Sequence, residues 1–258
     1  MITDIWTVML KEWREYLAGA SGSGGSGRGR GVVGVLLIIG LISIFLPLQL
    51  GRELFTTAAP LIVDSLFLPY LILQTIVADS FACERERHTL ETLLASRLSD
   101  RAILFGKFGA AVAYGWAVGI IAALIQAVVA NLSPKNATAG SGFAFYPANM
   151  AFAIVVFALL TSLLVSSIGC LVSLRAPNTR QAQLNMSFGF LAVVFVPVIV
   201  LQFLPHQTQR AFLAALNSAS ATQTAQTFLV LVAILIVLDV VLLLISLARF
   251  QRARLILS

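Results

Sequence analysis

Six runs of the sequence, residues 32–50, 58–81, 108–130, 149–174, 184–204 and 228–247, are apolar for long enough to cross a bilayer. The hydrocarbon layer is roughly 30 Å thick and takes about 20 helical residues. This feature limits the fold more than any motif does. In lipid every backbone N–H and C=O needs an internal partner, which only helices and closed barrels supply. The runs are continuously apolar and lack the alternation of barrel strands, so they predict helices. Composition agrees: 59% of residues are hydrophobic, 11% are charged, and the mean hydropathy is +0.95. A soluble globule needs about one-quarter charged residues to wet its surface. The expected fold class is an all-α membrane protein with six transmembrane helices.

Six passages put both termini on one side of the membrane, and the basic residues say which side. Lys11, Arg14, Arg28, Arg30, Arg85, Arg87, Arg97, Arg101, Lys107, Arg175, Arg180, Arg249, Arg252 and Arg254 fall on one face; Arg52, Lys135 and Arg210 fall on the other. This 14 to 3 division assigns both termini to the cytoplasm. The net charge of +6 does not point to nucleic acid, because no basic run with interleaved aromatics is present.

Four parts follow along the chain. Residues 1–18 form an amphipathic helix, 19–31 a Gly/Ser linker, 32–248 the six-helix membrane domain and 249–258 a basic cytoplasmic tail. In the first part Ile2, Ile5, Trp6, Met9, Trp13, Tyr16 and Leu17 share one helical face, with Asp4, Lys11, Glu12 and Glu15 away from it. A cleavable signal would instead carry a short apolar core directly after a basic start. Two Trp on the apolar face suit a helix lying in the cytoplasmic interface, the alternative being a helix packed on a soluble partner.

Catalytic and cofactor motifs are absent or fail on context. Gly22 to Gly27 spells G-x-G-x-x-G, but no strand precedes it and a membrane span follows, so it reads as a flexible linker. Gly19 to Gly22 spells G-x-S-G, yet no histidine lies in any span to serve as base. His88 and His206 fall on opposite sides of the membrane, which excludes a paired haem or H-E-x-x-H zinc site within the chain. Cys83 and Cys170 lie near cytoplasmic span ends in a reducing compartment, where a structural disulfide is not expected. Gly106 and Lys107 are followed by Phe108, so no phosphate-binding G-x-x-x-x-G-K-[ST] loop is formed. The expectation is a chain that is not an enzyme and holds neither cofactor nor metal.

Several polar or small residues inside the spans call for explanation. Asp239 lies near the middle of the sixth span, where insertion of a carboxylate costs roughly 2.5–3.5 kcal/mol, so it faces either a translocation path or a polar group on a neighbouring helix. Asp64 and Asp79 lie toward the two ends of the second span and are expected to be solvated near the headgroups. Ala111, Gly115, Gly119, Ala123 and Ala127 recur every four residues along the third span, predicting an internal packing seam. Pro69 and Pro197 are expected to kink spans two and five.

Against this apolar background, the stretch ERERHTLETLLASRLSDRAILFGK from Glu84 to Lys107 concentrates 9 of the 28 charged residues in 24 positions. Leu90, Leu93, Leu94 and Leu98 fall on one helical face, and Arg87 with Glu91 is spaced for an i,i+4 pair. Ser99 and Asp100 then look like the cap of the helix entering span three. A short charged amphipathic helix beneath a membrane domain is a docking surface, with charges for specific pairing and leucines for an apolar wedge.

This stretch closely resembles the cytoplasmic segment of permease subunits of the type-2 ABC transporter family, in which E-R-E-x-x-T-L-E, a leucine pair and a G-K lead into the third span. Glu84, Arg85, Glu86, Thr89, Leu90, Glu91, Leu93, Leu94, Gly106 and Lys107 match; His88 and Arg97 depart, standing where glycine and proline are common. The KEWREYL of Lys11 to Leu17 resembles the start of such permeases. The resemblance implies that residues 84–98 form the coupling helix resting on a separate ATPase, with Glu84, Arg85, Glu86, Arg87, Thr89, Leu90, Glu91, Leu93 and Leu94 at the contact. It makes the first helix the connecting helix. It further implies a short helix dipping into the outer leaflet between Pro205 and Gln226, around Ala211, Phe212, Leu213 and Leu216.

The function expected on this basis is the permease subunit of an ATP-driven exporter in a prokaryotic plasma (inner) membrane. Its partners would be two ATPase subunits, which hold ATP and Mg, and a second permease copy or a related permease. Asp239 is the candidate pathway residue. A non-transporting membrane anchor or scaffold subunit of a larger complex is the alternative.

Overall fold

The computed structural model describes residues 2–20, 27–56, 59–86, 100–136, 142–189, 191 and 221–249. Regular structure among them is helical. Helix α1 is Ile2–Ala20 and α2 is Gly27–Leu50. Helix α3 is built from Ala59–Ile62, a π-helical segment Val63–Phe67, and Leu68–Glu86. Helix α4 is Asp100–Leu132, α5 is Ala148–Arg175, α6 covers residues 179–189, and α7 is Ala221–Arg249. Among the described residues, five stretches are long and apolar enough to cross a membrane: Val33–Phe55, Pro60–Val77, Ala102–Leu132, Ala148–Arg175 and Leu229–Ser246. They correspond to the first, second, third, fourth and sixth expected passages. Most of the fifth, with Pro197, and the expected outer-leaflet helix around Ala211 lie outside the described residues.

Helix α4 occupies the middle of the packing and touches α1, α2, α3 and α5. Its small-residue stripe makes this possible. A Cβ at Gly115 would stand 2.5 Å from Leu73 Cδ1, and one at Gly119 would stand 2.7 Å from the Asp64 carbonyl oxygen. Ala111, Ala123 and Ala127 are buried along the same line, so the stripe is a packing seam as its spacing predicts. Proline accounts for the π turn beside it. Pro69 has no N–H to offer the carbonyl four residues back, and its ring crowds that turn. The helix widens just ahead of it, with the Leu68 N–H bonded to the Val63 carbonyl five residues back.

The end of α2 and the connection from α4 to α5 are closed by side chains rather than left raw. Ser133 Oγ donates to the Leu48 carbonyl at 3.1 Å and Lys135 Nζ donates to the Gln49 carbonyl, capping the last turn of α2. Gly51, at φ 57°, makes the left-handed turn that sends Leu54 and Phe55 into a cluster with Ala123, Ala127, Tyr146 and Ile154. Asn131 clamps the α4–α5 connection, donating to the Ala144 carbonyl at 2.7 Å and accepting from its N–H at 2.9 Å. Arg52 donates to the Gly142 carbonyl. Two of the three basic residues assigned to the outer face thus neutralise backbone carbonyls. At the other end, α5 stops at Arg175 because Pro177 holds Ala176 extended, and Asn178 Oδ1 accepts from the Gln181 N–H at 2.8 Å to start α6.

Candidate functional site

Of the residues assigned to the ATPase contact, Glu84, Arg85 and Glu86 form the final turn of α3, while Arg87, Thr89, Leu90, Glu91, Leu93 and Leu94 lie outside the described residues. The structure does define what holds that segment. It leaves α3 at Glu86 and enters α4 at Asp100, and these two helices pack directly on one another.

The first turns of α4 are in turn locked to α1. A Cβ at Gly106 would lie 2.6 Å from Val8 Cβ and 3.1 Å from the Ile5 carbonyl, so only glycine lets the two helices approach this closely. Next to it, Lys107 Nζ donates to Glu12 Oε1 at 2.9 Å, and both side chains are nearly withdrawn from solvent, at 5% and 2% exposure. Loss of one partner from such a pair leaves an uncompensated buried charge and costs about 3–5 kcal/mol. Further along the joint, Tyr16 and Trp13 meet Tyr114 edge-to-face at centroid distances of 5.7 and 6.4 Å. The G-K of the charged motif is therefore a helix joint: glycine permits contact and lysine fixes register.

This corrects the reading of α1 as a helix with Glu12 away from its apolar face. The buried stripe is Val8, Glu12 and Tyr16, spaced by four, and Trp6 is instead 57% exposed. Glu12 turns inward because Lys107 stands opposite it. Lys11 and Glu15 remain on the outer side as an i,i+4 pair at 3.4 Å.

Asp239 is buried at 6% exposure, and neither carboxylate oxygen has a hydrogen-bond partner. With Ser246, seven residues on, it lies on the face of α7 that packs against α5, whereas Leu229, Val230, Val237, Val240 and Leu244 point outward. Leu242 and Ile245, on the same face, line a cavity of about 410 Å³ shared with Arg175 of α5 and with Gln181 and Asn185 of α6. Asp64 overturns the expectation of solvation near the headgroups. It is fully buried in the π turn, where Gln126 Nε2 donates to its Oδ1 at 2.6 Å. Cys170 is a buried free thiol on α5. Among the described residues no three His, Cys, Asp or Glu side chains converge on a point that could hold a metal ion.

Two comparisons with known proteins bear on this arrangement. The sequence profile of the family described as ABC-2 family transporter protein matches residues 48–248. A protein of Bacillus subtilis (strain 168) named ABC transporter permease protein NatB is 29% identical over 150 residues, which covers 55% of this chain and 38% of that protein. The match thus spans well under half of the relative's length.

Proposed function

The chain belongs to the ABC-2 transporter family, and from that premise we propose that it is the permease subunit through which ATP hydrolysis in a separate ATPase drives export across a prokaryotic plasma membrane. The observation that carries this reading is the α1–α4 joint. The charged segment 87–99 is held between the end of α3 and the start of α4, and α4 is bound to α1 by the buried Glu12–Lys107 pair. A push on that segment from the cytoplasm would pass into α4, and from α4 to every helix packed around it. In this reading Glu84 to Leu98 is the coupling helix and α1 the connecting helix, with its exposed Trp6 and Leu10 set in the membrane interface.

The complex would hold two ATPase subunits, which bind ATP and Mg, together with a second permease copy or a related permease. Residues 184–204 would supply the fifth of six passages, which would leave both termini in the cytoplasm. Asp239 faces the cargo pathway, a role supported by its unpartnered oxygens and by the cavity one turn away. Purification of the chain from native membranes tests the proposal: an ATPase carrying a phosphate-binding G-x-x-x-x-G-K-[ST] loop should accompany it. Recovery with redox or other non-ATPase subunits would contradict it.

A further inference from the structure

The Asp64–Gln126 pair has no part in the coupling described above, and its hydrogen bonding is incomplete in an informative way. Gln126 Nε2 donates to Asp64 Oδ1 at 2.6 Å, and both side chains are fully buried. One atom of each group is left over: Asp64 Oδ2 and Gln126 Oε1 are both buried without a partner. If Asp64 is ionised, both leftovers are acceptors and neither can satisfy the other. A single proton on Oδ2 turns it into a donor for Oε1. Because carboxyl and amide are both planar and each presents its two polar atoms side by side, that proton can close a ring of two hydrogen bonds in which each of the four polar atoms has a partner.

Among the described residues, the helices packed on the π segment offer an ionised Asp64 no counter-charge. The π segment packs on α4 and α5. The charged residues of α4 are Asp100, Arg101 and Lys107, and Lys107 is 19 positions from Gln126, about 28 Å along a helix. The charged residue of α5 is Arg175, at its far end. The titratable group that faces the pair is Tyr146, on the loop before α5, whose hydroxyl donates to the Ala123 carbonyl at 3.3 Å. Burial, and secondarily the Asp64 charge when it is present, push that phenol up, so it stays protonated and supplies no cation. A carboxylate with one neutral donor and no counter-charge is strongly disfavoured in such a site.

We propose that Asp64 and Gln126 form a proton-binding site inside the membrane domain, with the proton on Asp64 Oδ2 shared with Gln126 Oε1 and joining the π turn of α3 to α4. Gly119 sets the fit, since its missing side chain is what lets the Asp64 backbone reach α4. On release the proton leaves to water, Asp64 becomes a carboxylate, and two acceptors face each other across the α3–α4 seam. The site binds its proton independently of any ATPase.

Infrared difference spectroscopy on the purified full-length chain tests this. Subtracting the spectrum of Asp64→Asn from that of the wild type at neutral pH should leave a carboxylic-acid C=O band that shifts in D2O. A difference consisting of carboxylate bands would overturn the proposal, whether the charge is left bare or balanced by a bound metal cation. Should Asp64→Asn fail to fold, Gln126→Met is read instead: it should move an acid band to the frequency of a less strongly bonded acid. An acid region left unchanged by Gln126→Met would equally overturn it.

Discussion

Lys107 Nζ lies 2.9 Å from Glu12 Oε1, so the amino-terminal helix and the helix that follows the charged segment share one buried ion pair. Glu12→Ala or Lys107→Ala alone should lower stability by about 3–5 kcal/mol, because each strands a charge, while Glu12→Leu combined with Lys107→Met should recover much of the loss. Thermal unfolding of the three variants in detergent measures this. Equal losses in the single and double variants would show that the pair does not act as a unit.

How much of this joint was legible beforehand depends on what periodicity can see. Long apolar runs and the four-residue spacing of Ala111 to Ala127 are local patterns, and both translate directly into spans and a packing seam. Glu12 and Asp64 were misread because their partners are remote in sequence, 95 residues away for Lys107 and 62 for Gln126. A helical wheel sorts residues by polarity and sends any carboxylate to water. It has no means of knowing that a lysine or an amide will stand opposite. A signal was nonetheless present, since between residues 102 and 130 of α4 Lys107 and Gln126 stand among side chains that carry no other charge or amide, and each therefore needed a partner.

The α4 seam yields a second prediction. Gly119→Leu would force a side chain against the Asp64 carbonyl at 2.7 Å and the Pro69 ring at 3.2 Å. Overpacking of this kind typically costs about 1–3 kcal/mol. Gly142→Ala, where no atom stands within 4 Å of the new Cβ, should be nearly neutral. Melting temperatures of the two variants should separate clearly, and equal values would argue against the seam.

The basic-residue asymmetry predicts the topology. In a chain carrying Cys83→Ser and Cys170→Ala, a single cysteine at Ser141 should react with a membrane-impermeant thiol reagent in intact cells, and one at Ser99 should not. The reverse pattern would place both termini outside.

Asp239 is buried without a partner on either oxygen. If it faces the pathway, Asp239→Asn should keep expression and assembly yet alter cargo-stimulated ATP hydrolysis by the complex. Loss of the protein from the membrane would identify it as a packing residue instead.

Coupling through the charged segment is the central claim, and Glu91→Lys tests it most directly. If the segment docks on the ATPase, inverting the charge at its centre would remove a desolvated interface pair, which costs about 2–5 kcal/mol. At roughly 1.4 kcal/mol per tenfold, affinity for the ATPase should fall by a factor of tens to thousands. Leu93→Asp serves as the contrast: on the same account it would bury an unpaired charge and should lower the membrane level of the permease itself. The measurement is the amount of ATPase that co-purifies with equal quantities of wild-type and Glu91→Lys permease. The account predicts normal membrane insertion with most of the ATPase lost; full retention of the ATPase by Glu91→Lys would contradict it.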